Sequence, residues 1–175
     1  MGIGAPWFSL QPALRFALLF VVHLLILSQV FDWIQDFFVN AYMYPVARMA
    51  TALLNLIGVA VELDSSMLRG GFCDLLLNGA IYRVIHECTG IFALLVFVAL
   101  LLAYPASPLA KIQGVILGLP AFYLYSALRL VIIGVVANST PQWVELTHSY
   151  LMVLVNLGFL LFIWIYWLEE VARRA

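Results

Sequence analysis

Residues 112–137 read IQGVILGLPAFYLYSALRLVIIGVVA, a run in which Arg129 is the only charged side chain. A helix that crosses a bilayer needs about 20 mostly apolar residues, and this stretch is long enough. The rest of the chain agrees with it. Hydrophobic residues make up 66% of 175 positions, charged residues only 10%, and the mean hydropathy is +1.09. A soluble domain carries roughly 25% charged residues, so the composition is that of an integral membrane protein.

Three further runs read as spans: 14–31, 88–104 and 148–168. Turn signals separate them, Pro105 and Pro108 before the long central run and Asn138-Ser139-Thr140-Pro141 after it. The start, MGIGAPWFSLQPALRF, leads into no short apolar stretch with a small-residue cleavage site, so the first run reads as a retained anchor. Residues 45–61 are short for a span and carry Arg48 and Asn55, which reads as an interfacial or re-entrant helix. Over 67–87 the period changes. Asn78-Gly79 is a type I′ turn signal between Cys73-Asp-Leu-Leu-Leu77 and Ala80-Ile-Tyr-Arg-Val-Ile85, which predicts a β-hairpin that exposes Cys73 and delivers the chain into Cys88. Alternation along that strand puts Tyr82, Val84, His86 and Cys88 on one face. The expected fold is a single all-α membrane domain over 1–175. It is a polytopic bundle of about four transmembrane helices, with an interfacial helix and a small extracytoplasmic hairpin.

Basic residues orient it. Arg15, Lys111, Arg173 and Arg174 all flank spans and all fall on the cytoplasmic side if both termini are inside. The acidic residues Asp32, Asp36, Glu62, Asp64, Asp74 and Glu145 then lie outside. Eighteen residues of helix separate Lys111 from Arg129, a rise of about 27 Å in a hydrocarbon core about 30 Å thick. Arg129 therefore sits just beneath the outer surface, where Cys88 enters one helix and His148 enters the last.

Thiol, imidazole and guanidinium at one level are the parts of a cysteine acyl-transfer site. Each also has a plainer reading. Cys88 alone is a small buried hydrophobe, His148 an interfacial histidine, and Arg129 a side chain snorkelling to headgroups. The setting Glu87-Cys88-Thr89-Gly90 at a strand-to-helix junction favours reactivity, because a helix N-terminus lowers a thiol pKa and glycine admits close approach. Intramembrane ionisable residues are functional candidates by default. His86, two residues from Cys88, competes with His148 for the role of base. His23 reads as the donor of an interhelical hydrogen bond, and Tyr82 as an interfacial anchor.

Net charge −1 with no basic stripe or phosphate loop argues against a nucleic-acid partner. Two cysteines are too few for a disulfide framework and match no zinc spacing, so neither metal nor cofactor is expected.

The order Cys88-Thr89-Gly90, then Arg129 within a span, then His148 at the start of the last one, resembles the exosortase/archaeosortase family. The short length and the hairpin before the cysteine are most similar to its exosortase H branch. The resemblance implies a membrane-embedded cysteine transpeptidase at the outer face of the inner membrane. Its partners would be exported proteins with a C-terminal sorting tail: a short motif, a transmembrane helix and a basic end. Cys88 would be the nucleophile, His148 the general acid and base, and Arg129 the stabiliser of oxyanion or substrate. Thr89, Gly90 and Ser126 would meet substrate, Ser126 standing where the family often has asparagine. Two other classes fit less of the pattern: a catalytically silent sorting subunit that binds a partner through Arg129, and a small transporter, for which broken-helix pairs are missing.

Overall fold

The computed structural model describes residues 12–77 and 80–173; the Asn78-Gly79 turn and Arg174 lie outside the described residues. Among the described residues, three helices are long and apolar enough to cross a membrane: α1 (Pro12–Trp33), α4 (Pro108–Ser139) and α5 (Pro141–Ala172). Between them come α2, residues 35–56, and α3, Ile91–Ala103. The span expected over 88–104 is thus shorter than its hydropathy suggests. Residues His86–Thr89 form a 3₁₀ turn and Gly90 takes a left-handed φ of 71°, so the α-helix starts only at Ile91. Its 13 residues rise about 20 Å, less than a hydrocarbon core of about 30 Å. Three of the expected spans are long helices, and the one expected over 88–104 is a short apolar helix.

Small residues let these helices close up. A Cβ on Gly114 would stand 2.6 Å from Trp167 Nε1 and 2.8 Å from Leu101 Cδ2, and one on Gly118 would collide with Phe97. Lipid gives helices no hydrophobic reason to associate, so such backbone approach and buried polar bonds carry the packing. One such bond runs from Trp167 Nε1–H to the Ala110 carbonyl, 2.9 Å. His23 does not join two helices as expected. Its Nδ1 lies 2.7 Å from the Leu19 carbonyl, one turn back on its own helix.

Arg15, Lys111 and Arg173 gather at one end. Phe16 packs edge-on to Tyr104 at 6.4 Å, and Tyr104 in turn meets Trp167 at 5.7 Å. Those contacts bring the start of α1, the end of α3, the start of α4 and the end of α5 together. Lys111 Nζ there donates to the Leu102 carbonyl, 2.8 Å, capping α3. At the far end of α1, Phe31 packs on Phe92 and His86.

Helix α2 belongs to that far end. It carries a π-helical turn at Val39–Met43 and buries Val46, Ala47, Ala50 and Leu54, and Leu54 fills the space left at Gly134 of α4. It ends at Leu56, not at 61. Asn55 explains the stop, since its side chain accepts from Val61 N at 3.2 Å and donates to Val61 O at 2.9 Å. Val61 therefore begins β1 (Val61–Asp64), a strand not expected from the sequence. With β2 (Phe72–Leu77) and β3 (Ala80–Ile85) it makes a three-stranded antiparallel sheet in the order β1-β2-β3. The hairpin register pairs Cys73 with Val84, Leu75 with Tyr82 and Leu77 with Ala80.

Alternation then sets the faces. Cys73, Leu75, Leu77 and Val84 are buried, while Arg83 on the other face pairs with Asp74 at 3.1 Å and lies 4.1 Å over the Phe72 ring. Cys73 is fully buried rather than displayed, and burial pushes its thiol up to about 11. It is therefore a poor reporter of sidedness. Ile81, 71% exposed on β3, is a good one. In a Cys73→Ser background, Ile81→Cys is expected to react with an impermeant maleimide added to intact cells. Reaction only after permeabilisation would reverse the orientation.

Candidate active site

Cys88 sits in the 3₁₀ turn that joins β3 to α3 and is 4% exposed, with its Sγ 4.0 Å from the Arg83 carbonyl. The turn is held from within and from two helices. Thr89 Oγ1 donates to the His86 carbonyl at 2.6 Å. Ser126 Oγ on α4 lies in hydrogen-bond contact with the Thr89 carbonyl, 2.6 Å from the Phe122 carbonyl, and 2.9 Å from the Tyr42 hydroxyl on the π turn of α2. Thr89 and Ser126 are both fully buried. Their hydroxyls meet main-chain carbonyls and hold the cysteine turn in place.

Gly90 ends the turn with a backbone that an L side chain rarely adopts. Its bare Cα faces a polar cluster. A Cβ there would stand 3.5 Å from Asn156 Oδ1, 3.7 Å from Arg129 Nη1 and 3.7 Å from Tyr125 Cε1. Helical side chains lean toward the helix N-terminus, which is how Arg129 reaches back along α4 to the level of Gly90. It is only 7% exposed. Arg129 Nε, Asn156 Oδ1 and the Tyr125 hydroxyl are all buried without a hydrogen-bond partner. Snorkelling to headgroups does not describe such a guanidinium.

The two histidines part company. His86 turns toward the α1 end, its Nδ1 3.2 Å from Gln35 Nε2, its Nε2 3.3 Å from Glu87 Oε1, and its ring against Phe31 and Phe92. Strand β3 ends at Ile85, so His86 leaves the face that Tyr82 and Val84 occupy. His148 lies on a π-helical turn of α5, Thr147–Leu151. Such turns re-aim side chains and are frequent at functional sites. Its Nδ1 is 3.1 Å from the Tyr82 hydroxyl, with the rings edge-on at 6.0 Å. Tyr82 also interacts with the Cys88 thiol and with Arg129, and burial holds its phenol well above its usual range. It thus stands neutral between the cysteine turn and His148.

Tyr82 belongs to this site rather than to an interfacial anchor, in keeping with strand alternation, which puts it on the face of Cys88. Asn156 and Tyr125 join it without having been expected from the sequence. The signal for Asn156 was a lone amide in the apolar run Met-Val-Leu-Val-Asn-Leu-Gly-Phe. Among the described residues no group of three His, Cys, Asp or Glu side chains has the arrangement of a metal site.

The arrangement offers a thiol in a fixed turn, a neutral phenol leading to an imidazole, and a buried guanidinium with a free N–H beside a glycine. No curated protein and no solved structure matches the chain significantly. The sequence pattern described as transmembrane exosortase does, over residues 1–167, and so takes in the cysteine turn, Arg129, Asn156 and His148. The chain belongs to the transmembrane exosortase family.

Proposed function

We propose that this protein is a membrane-embedded cysteine peptidase and transpeptidase that cleaves the C-terminal sorting tail of exported proteins. One observation carries the reading: the buried Arg129 guanidinium brings Nη1 beside Gly90, two residues from Cys88, and its Nε–H has no partner.

The Cys88 thiolate attacks the scissile carbonyl, and the C–N bond breaks to leave a thioester on Sγ. The thiol proton passes to His148, with the Tyr82 hydroxyl bridging the two, and is returned to the departing amine. For that relay Nδ1 of His148 is the unprotonated nitrogen and accepts from the Tyr82 hydroxyl, and the ring proton is carried on Nε2. Arg129 stabilises the oxyanion in a site from which water is excluded. Water or an acceptor amine then takes the acyl group and frees the thiol. With the basic ends inside, this chemistry takes place at the extracytoplasmic face of the inner membrane. The substrate's own transmembrane helix lies in the same bilayer, its cleavage motif at the level of Cys88.

The two histidines test the assignment. General acid–base groups contribute about 100- to 10,000-fold. His148→Ala is expected to lower precursor cleavage by about 100-fold or more while the tail-bearing substrate still co-purifies. His86→Ala is expected to cost much less, since both its nitrogens are engaged elsewhere. The measurement is a time course of cleavage at matched enzyme levels in membranes. The reverse ranking would move the base to His86. Unimpaired cleavage by both variants would remove both histidines from the proton transfer.

A further inference from the structure

Unpaired buried polar atoms are rare in folded proteins, and here the three side chains that carry them, Arg129, Asn156 and Tyr125, all reach one glycine, Asn156 by its unpaired Oδ1. Their chemistry is mixed. Arg129 Nε–H is a donor, Asn156 Oδ1 an acceptor, and the Tyr125 hydroxyl either. The cluster is also rigid. Tyr125 and Arg129 are one turn apart on α4, Asn156 and Phe159 one turn apart on α5, and the Tyr125 and Phe159 rings stack at 4.3 Å with 5° between their planes. Tyr125 and Arg129 are 9% and 7% exposed, so neither atom is satisfied by bulk water.

A phosphate or carboxylate would suit Arg129 but leave Asn156 Oδ1 facing another acceptor. An extended peptide meets both. In such a chain the N–H and C=O of one residue point to the same side, as they do along a strand edge. We propose that Asn156 is a substrate-binding residue that accepts the main-chain N–H of the residue whose carbonyl is attacked, while Arg129 donates to that carbonyl. The inference rests on the acyl-transfer reading above and adds to it. Recognition at the cleaved residue would be of main chain held by two facing helices, and so would demand an intact amide N–H there whatever the side chain.

The test pairs a change in the enzyme with a change in the substrate. The probe is a synthetic peptide spanning the cleavage site of a tail-bearing protein from the same genome, with the cleaved bond mapped by mass spectrometry. It is made in two forms, one with an ester oxygen replacing the N–H of the cleaved residue. The native enzyme is expected to lose about 10- to 100-fold in kcat/KM on the ester form, the cost of leaving one buried acceptor without its donor. Asn156→Leu is expected to lose a similar factor on the amide peptide and to show no further loss on the ester. Asn156→Ser, too short to reach, is expected to behave alike and serves if the leucine variant does not accumulate. Alkylation of Cys88 at the native rate checks that the site is intact in both. An amide-to-ester ratio that is the same in native and variant enzymes would overturn the role of Asn156. Cleavage that continues in Cys88→Ala would instead overturn the acyl-transfer reading itself.

Discussion

Cys88→Ser is expected to abolish cleavage of a tail-bearing precursor, a loss of about 1,000-fold or more, while Cys73→Ser retains it. Serine keeps the size of the thiol but not its acidity, and the site supplies only a neutral phenol and one imidazole to activate it. Cys73 has no route to the chemistry. It lies fully buried on β2 opposite Val84, and a thiol pushed up to about 11 is protonated at any physiological pH. A buried hydroxyl at that position costs about 1 kcal/mol of stability, which lowers yield before it lowers turnover. Both cysteines are free thiols. Equal loss of cleavage in the two variants would mean that they act as a bridge and that Cys88 is structural. The measurement is precursor cleavage per unit of membrane-inserted enzyme.

Arg129→Lys is the second large effect. Were Arg129 only reaching for headgroups, lysine would serve, because either stem covers that distance. The structure puts the guanidinium elsewhere, 7% exposed, with Nη1 near Gly90 and Nε free. A planar fork can hold a carbonyl oxygen and keep a second N–H in place, and a single rotating ammonium cannot. Removing one such donor typically costs about 100- to 1,000-fold in rate. The lysine variant is expected to insert normally and to cleave slower by that factor, read as initial rates at matched enzyme levels. Near-native cleavage would reduce Arg129 to an anchor.

Much of this was legible in residue order and depth. A run such as 112–137 with one charge fixes a spanning helix, and counting residues from Lys111 brings Arg129 to the level of Cys88 and His148. Helical rise makes that arithmetic dependable. The remainder depends on packing that no local pattern records. Asn55 stops α2 by folding its amide onto Val61, six residues away, and so creates β1. The π turn that aims His148 leaves the apolar run of α5 unbroken, so hydropathy does not reveal it. Ser126 lies one turn from Arg129, and packing brings its hydroxyl to the Thr89 carbonyl and the Tyr42 hydroxyl. Tyr82 and Asn156 each had a signal, strand alternation for one and a lone amide in an apolar helix for the other. Their roles emerge only when β3 meets α5 and α5 meets α4.

The central claim is that the acyl group of the substrate passes through Cys88. Acid-quenched membranes sampled during turnover, digested and read by mass spectrometry, test it most directly. The account predicts a fragment containing Cys88 whose mass is raised by that of the substrate's upstream segment, lost on treatment with neutral hydroxylamine and absent from His148→Ala. Ongoing cleavage with Cys88 unmodified at every time point, or continuing in Cys88→Ala, would contradict it.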